Sequence, residues 1–162
     1  MILNGRALVI REANVDTDVL YPGAYLNITD VEEMKQYLFE GLDPSLRDRL
    51  GGDVVLVCGP NFGAGSSREH VPQAMRASGI RCLVGESFAR IFHRNCINLG
   101  LPVFLSGEAA EAAHDDSAIE VDTATGRITV DGREFETPPV PEFMQDLYES
   151  GGLVDWVAAR AR

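Results

Sequence analysis

The feature that most constrains the fold is an apolar run, Asp53–Cys58, that leads directly into a glycine-rich turn, Gly59–His70. A short run of this kind predicts a buried strand, and the glycines allow positive φ and close backbone approach to a ligand. A helix-like segment follows the turn, and a second apolar run occupies Ile80–Gly85. The order strand, helix, strand predicts a βαβ unit whose two strands are parallel.

The rest of the chain predicts an α/β fold around this unit, as a single domain over residues 1–162. We expect further strands at Arg6–Ile10, Leu101–Leu105, Ala118–Val121, Arg127–Val130 and Arg133–Glu136, with a hairpin turn at Thr123–Gly126. We expect helices over Val31–Glu40, Ser67–Ser78, Ser87–Leu99, Pro141–Glu149 and Leu153–Arg160. Thr29 or Asp30 and Ser87 are the expected caps of the first and third of these helices. The long connection over residues 11–29 contains apolar anchors, which favours a functional loop.

Composition excludes several partners. A formal charge of −11 in 162 residues opposes binding to nucleic acid or to anionic membranes, because phosphates would be repelled. No run approaches the roughly 20 apolar residues of a membrane span, and we expect a cytoplasmic location. The three cysteines, Cys58, Cys82 and Cys96, form no CxxC pair and are expected to be buried, reduced thiols. They are too few for a four-cysteine iron–sulfur cluster.

The glycine-rich turn predicts a site for a small anionic ligand. Free N–H groups at a helix start attract anions, Arg68 offers a bidentate fork for a carboxylate, and Ser66 and Ser67 add hydroxyls. Nucleotide signatures are not met, because Gly65 stands where a P-loop needs lysine, and Arg68 where a dinucleotide fingerprint needs glycine. Ser66–Glu69 also matches a helix capping box, so one serine could cap while the other reacts. His70 in the first helical turn is expected to be a hydrogen-bonded structural residue.

With these residues assembled, the chain resembles the small subunits of 3-isopropylmalate dehydratase, in the aconitase superfamily. The motifs that support this resemblance are spread from about residue 4 to residue 105. They are Asn14–Asp18, Tyr25-Leu26, Asn61–His70, Ser87–Phe92 and Asn95–Leu101.

The resemblance implies a three-layer β/β/α swivelling domain that closes as a lid over a separate large subunit. It implies that the large subunit holds a [4Fe–4S] cluster, and that the two chains form a heterodimer or a heterotetramer. The implied reaction is the dehydration and rehydration that interconverts 2-isopropylmalate and 3-isopropylmalate in leucine biosynthesis.

The resemblance also implies residue roles. Ser66 would be the catalytic base, acting as an alkoxide, and Ser67 ranks second to it. Asp18 would support it by hydrogen bonding. Arg68 and Gly65 would bind the small dicarboxylate substrate, with Arg68 pairing with one of its carboxylates.

Substrate choice is expected to depend on the segment Leu26, Asn27, Ile28 and Thr29. It has no basic residue to pair with a third carboxylate, so citrate and homocitrate are disfavoured, and Leu26 and Ile28 fit an apolar substituent. Asn27 is more polar than expected, which leaves citramalate or 2,3-dimethylmalate as alternative substrates. A homoaconitase small subunit is a further alternative, and a stand-alone carboxylate-binding module is the alternative outside catalysis.

Overall fold

A computed structural model describes residues 1–161, and these residues form one mixed sheet of seven strands. The strands are β1 (Ile2–Ile10), β2 (Val54–Cys58), β3 (Ile80–Gly85), β4 (Val103–Leu105), β5 (Ala118–Asp122), β6 (Arg127–Val130) and β7 (Arg133–Glu136). Their order is β4-β3-β2-β1-β5-β6-β7. The first four are parallel, while β5 to β7 run antiparallel from the edge of β1.

Seven helices within residues 1–161 flank the sheet. They are α1 (Thr17–Leu20), α2 (Val31–Met34), α3 (His70–Ala77), α4 (Arg90–Asn98), α5 (Gly107–Ala112), α6 (Glu142–Ser150) and α7 (Leu153–Arg160). No helix in this part of the chain is both long and apolar enough to cross a lipid bilayer.

The central strand β2 is buried on both faces, as expected for a parallel strand between two layers. Leu56 faces a core that also contains Met75 of α3 and Phe92 of α4. Val55 and Val57, which point to the opposite face, belong to a second core. Helices therefore cover one face of the parallel strands and a different layer covers the other.

That other layer is formed largely by the antiparallel half of the same sheet. Ile119 of β5 and Ile128 of β6 share the second core with Val55 and with Phe104 of β4. The hydroxyl of Thr137, just after β7, donates to the carbonyl of Leu105 at the end of β4 over 3.0 Å. The sheet therefore curls until its edges approach, which produces two β layers and one α layer.

The expected helix over Val31–Glu40 is wrong beyond its first turn. Asp30 caps it by accepting from Glu32 N at 3.0 Å, but α2 ends at Met34 and a 3₁₀ turn, Lys35–Tyr37, follows. Phe39 then takes φ +67° and is fully buried. Its N–H donates to Leu20 O at 2.7 Å, so a tertiary contact replaces the next helical turn.

Two other helices begin three residues later than expected, at His70 and Arg90 instead of Ser67 and Ser87. Neither has a side-chain cap, so the capping box at Ser66–Glu69 does not form. The Ser87 hydroxyl instead accepts from Asn61 N at 2.8 Å, which joins its loop to the glycine-rich turn.

The remaining differences are smaller. The strand expected at Arg6–Ile10 begins at Ile2, because its first residues pair with β5, and the strand expected at Leu101–Leu105 begins at Val103. Helix α5, which was not expected, begins where Ser106 accepts from Ala109 N at 3.2 Å. The parallel β2–β3 pair, the hairpin and the two closing helices are confirmed.

Candidate functional site

The connection that follows β1 and the glycine-rich turn that follows β2 lie against each other. The two segments extend from the carboxyl ends of the adjacent parallel strands β1 and β2, and this end of an α/β sheet is the usual place for a ligand site. Backbone bonds join them: Gly63 N and Ala64 N both donate to Val15 O, at 2.8 and 3.1 Å. Thr17 N donates to Ala64 O at 2.8 Å, and the Thr17 hydroxyl to Ser66 O at 2.7 Å. The connection is therefore an ordered wall of the site that includes α1.

Two glycines of the turn are required by this close packing. Gly63 has φ +87°, and a Cβ there would lie 2.2 Å from the ring of Phe92. Gly65 has φ +91°, and a Cβ there would lie 2.6 Å from the carboxylate of Asp16. Side chains at these positions would push the turn away from α4 and from the start of α1.

We expect Gly63→Ala to destabilise the protein much more than Gly132→Ala. Gly132 has nearly the same φ, +86°, but a Cβ there would meet no atom within 4 Å, so this variant isolates the cost of the backbone conformation. The collision with Phe92 should lower the free energy of unfolding by about 2 kcal/mol more in the Gly63 variant. Urea denaturation of both variants measures the difference, and equal losses would contradict the assigned packing.

Three of the side chains expected in the site come together. Arg68 Nη2 pairs with Asp18 Oδ1 at 2.6 Å, and the Ser66 hydroxyl donates to the same oxygen over 3.4 Å. Arg68 Nη1 donates to Tyr21 O at 2.8 Å. The Arg68 side chain is only 13% exposed, whereas that of Asp18 is 58% exposed. A nearly buried, fixed guanidinium therefore faces an exposed carboxylate and hydroxyl, and the roles of these residues stay predictions.

The N–H groups available for an anion lie on the turn and not on the helix itself. Since α3 begins only at His70, Ser66 is not a helical cap. The backbone N–H groups of Gly65–Glu69 make no hydrogen bond to residues 1–161. Successive free N–H groups in a turn attract anions as a helix N-terminus does. The donors available to an anion beside Ser66 therefore come from the turn and not from a helix cap.

Ser67 is exposed and held by a residue to which the sequence assigned no role. Asn95 Nδ2, on α4, donates to Ser67 Oγ at 2.9 Å. Because the hydroxyl oxygen accepts this bond, its own proton is free to donate to a ligand. Asn95 belongs to the Asn95–Leu101 motif, so the sequence marked it as part of the family pattern. The motif did not indicate that Ser67 would be its hydrogen-bond partner.

The four residues expected to set substrate choice differ in exposure. Leu26 is 39% exposed, and Asn27 and Thr29 are exposed as well. Ile28 is half-buried against the helix-covered core. Leu26, Asn27 and Thr29 are thus available to a ligand, whereas Ile28 also anchors the segment.

The cysteines do not fit an iron–sulfur cluster. All three are buried free thiols. Burial raises the pKa of Cys58 and Cys96 far above the usual range, and raises that of Cys82 to about 12. Metal ligation requires thiolates. Within residues 1–161, no three His, Cys, Asp or Glu side chains gather in a group that could hold a metal ion.

Comparison with known families and proteins gives consistent matches. The family described as the aconitase C-terminal domain matches residues 14–108. A 3-isopropylmalate dehydratase small subunit from Caldanaerobacter subterraneus subsp. tengcongensis is 41% identical over 162 residues, covering 99% of this chain and 100% of that protein. The 3-isopropylmalate dehydratase small subunit 1 of Methanopyrus kandleri is 44% identical over 158 residues, covering 96% and 92%.

A solved structure shares the architecture. The crystal structure of 3-isopropylmalate dehydratase (leuD) from Methanocaldococcus jannaschii superposes with a TM-score of 0.90 at 32% identity. The alignment covers 99% of this chain and 96% of that one.

Proposed function

The chain belongs to the aconitase C-terminal domain family, together with the small subunits of 3-isopropylmalate dehydratase, and we propose that it is such a subunit. With a large subunit it acts as a hydro-lyase that interconverts 2-isopropylmalate and 3-isopropylmalate. The chain works as a single swivelling domain, and the pair assembles as a heterodimer or a heterotetramer in the cytoplasm.

The observation that supports this proposal most directly is the Ser66–Asp18–Arg68 cluster on an exposed surface. Dehydration removes a weakly acidic proton beside a carboxylate, and Ser66, as the alkoxide, takes that proton and becomes a neutral hydroxyl. A serine oxygen can do so only where negative charge on it is stabilised. Arg68 and the free N–H groups of Gly65–Glu69 supply that stabilisation once a partner chain excludes water from the surface.

Arg68 and Ser67 bind the substrate carboxylate. The guanidinium is held by Tyr21 O and Asp18, so its orientation is fixed before the substrate arrives. The Ser67 hydroxyl, oriented by Asn95, donates to the same carboxylate. Asp18 holds the Ser66 and Arg68 side chains close together by accepting a hydrogen bond from each.

The [4Fe–4S] cluster belongs to the large subunit in this proposal, since the three buried thiols of this chain do not fit it. The open iron of such a cluster supplies a Lewis acid for the leaving hydroxyl. This chain supplies the base, the carboxylate site and the surface that contacts the alkyl group.

A smaller alkylmalate is the second candidate, because Asn27 presents an exposed amide beside Leu26. Citramalate or 2,3-dimethylmalate would leave more room next to that amide than an isopropyl group does. A methyl group changes discrimination by only about 1–3 kcal/mol, so turnover of more than one acid is expected.

The test is reconstitution without oxygen. We expect the purified chain, mixed with a cluster-loaded large subunit, to produce the ultraviolet absorption of the unsaturated intermediate from 3-isopropylmalate. Each chain alone should give no signal. A complex that assembles but acts only on citramalate, 2,3-dimethylmalate or homocitrate would overturn the isopropylmalate assignment. Assembly with turnover of none of these acids would favour a carboxylate-binding module.

A further inference from the structure

Two side chains hold the backbone on either side of the exposed pair Leu26 and Asn27. The Tyr21 hydroxyl donates to Tyr25 O at 2.8 Å, just before the pair. His70 Nε2 lies 3.1 Å from Ile28 O, just after it. A ring nitrogen at this distance from a carbonyl oxygen acts as the donor, so Nε2 holds a proton. The two exposed side chains are thus presented from a segment fixed at both ends.

The two donors form one rigid unit. The ring of Tyr21 stacks on that of His70, with centroids 5.1 Å apart and an interplanar angle of 28°. Tyr21 is fully buried. Burial, followed by the negative charge of Glu33, raises the pKa of Tyr21, so its hydroxyl stays a donor at neutral pH.

Tyr21 also connects this segment to the carboxylate site. Its backbone carbonyl accepts from Arg68 Nη1 at 2.8 Å, while its hydroxyl holds Tyr25 O. One buried residue therefore fixes the separation between the guanidinium and the exposed Leu26–Asn27 pair. A substrate anchored by its carboxylate at Arg68 would meet that pair at a set distance.

We propose that Tyr21 and His70 are positioning residues that fix the Leu26–Asn27 pair relative to Arg68 and thereby set which alkyl substituent the enzyme accepts. The proposal rests on the proposed function, because it needs a substrate held at Arg68. Neither residue touches the reacting atoms. Their loss should therefore alter selectivity and KM while kcat changes little.

The first experiment measures selectivity in the reconstituted complex. Tyr21→Phe removes one hydroxyl and keeps the ring and the backbone carbonyl that holds Arg68. We expect kcat/KM for 3-isopropylmalate to fall about tenfold relative to that for 3-methylmalate, mainly through KM. The matched control is Tyr37→Phe, whose hydroxyl makes no hydrogen bond within residues 1–161, and it should keep the wild-type ratio. An unchanged ratio in Tyr21→Phe, whether kcat/KM falls equally for both acids or for neither, would overturn the proposal.

The second experiment needs no substrate and uses the full chain alone. We expect Tyr21→Phe and His70→Ala to speed hydrogen exchange at the amides of Leu26 and Ile28 by about tenfold over wild type. His70→Gln, which retains an N–H donor, should restore most of the protection and of the selectivity. Unchanged exchange in Tyr21→Phe would overturn the proposal whatever acid is turned over, as would faster exchange without altered selectivity. A wild-type complex that is inactive on isopropylmalate would refute the proposed function instead. The selectivity ratio, kcat/KM for one acid relative to another, would then be measured between two homologues of the acid that is turned over.

Discussion

Replacing Ser66 by alanine should reduce kcat for 3-isopropylmalate by on the order of a thousandfold while the protein folds and assembles normally. The change removes one exposed hydroxyl and leaves the Ser66 carbonyl, which accepts from Thr17, in place. A positioned acid–base group contributes about 10²- to 10⁴-fold to a proton transfer. Steady-state kinetics of the reconstituted complex measure the loss, and size-exclusion chromatography with thermal unfolding verifies assembly and stability.

Two further serine variants make this result specific. Ser150→Ala on α6 removes a hydroxyl that bonds only Asp146 O, outside the site, and should leave kcat and KM at wild-type values. Ser67→Ala should raise KM more than it lowers kcat, because Ser67 is oriented by Asn95 to donate to a carboxylate. Near-normal kcat in Ser66→Ala, or a larger kcat loss in Ser67→Ala, would show that Ser66 is not the base.

The sequence predicts the parts of the fold that local patterns determine. The uninterrupted apolar run of β2 and the glycine-rich turn after it predict a buried parallel strand, and β2 lies between β1 and β3. The α/β fold class and the family that the motifs indicated are both confirmed, by the match to the aconitase C-terminal domain and by the superposed crystal structure.

The parts that depend on tertiary contacts could not be read from local patterns. The capping box that Ser66–Glu69 matches and the expected cap at Ser87 do not form, because Ser66 and Ser87 are held by neighbouring loops, through Thr17 and Asn61 respectively. The helix expected to reach Glu40 does not do so, because the Phe39 N–H is used by Leu20 O, a partner 19 positions earlier in the chain.

The residues of the candidate site could be proposed from the sequence, but their arrangement could not. The residues of the turn pointed to Ser66 and Arg68, because hydroxyl and guanidinium groups beside glycines are typical of a carboxylate site, and the family resemblance added Asp18. They did not indicate that Arg68 would already be paired with Asp18, or that its other nitrogen would be held by Tyr21 O. These bonds join Arg68 to residues 50 and 47 positions earlier in the chain and depend on how the two loops pack.

Replacing Arg68 by lysine should raise KM for 3-isopropylmalate about ten- to a hundredfold and lower kcat less. Arg68 uses separate nitrogens for Tyr21 O and for Asp18, and a single ammonium cannot span both positions. The lysine variant therefore loses the bidentate fork for the substrate and also the fixed position of Asp18. Hydrogen bonds to charged groups contribute about 1.5–3 kcal/mol, which corresponds to the expected increase in KM.

The matched control for this charge-conserving change is Arg81→Lys. Arg81 is half-exposed and pairs with Asp53 at 3.9 Å on the surface, so its replacement should leave KM unchanged. Binding of a dicarboxylate inhibitor to the complex, measured by calorimetry, gives the same comparison without turnover. If Arg68→Lys leaves both KM and inhibitor affinity at wild-type values, Arg68 does not bind the substrate, and its pairing with Asp18 serves only to hold the two loops together.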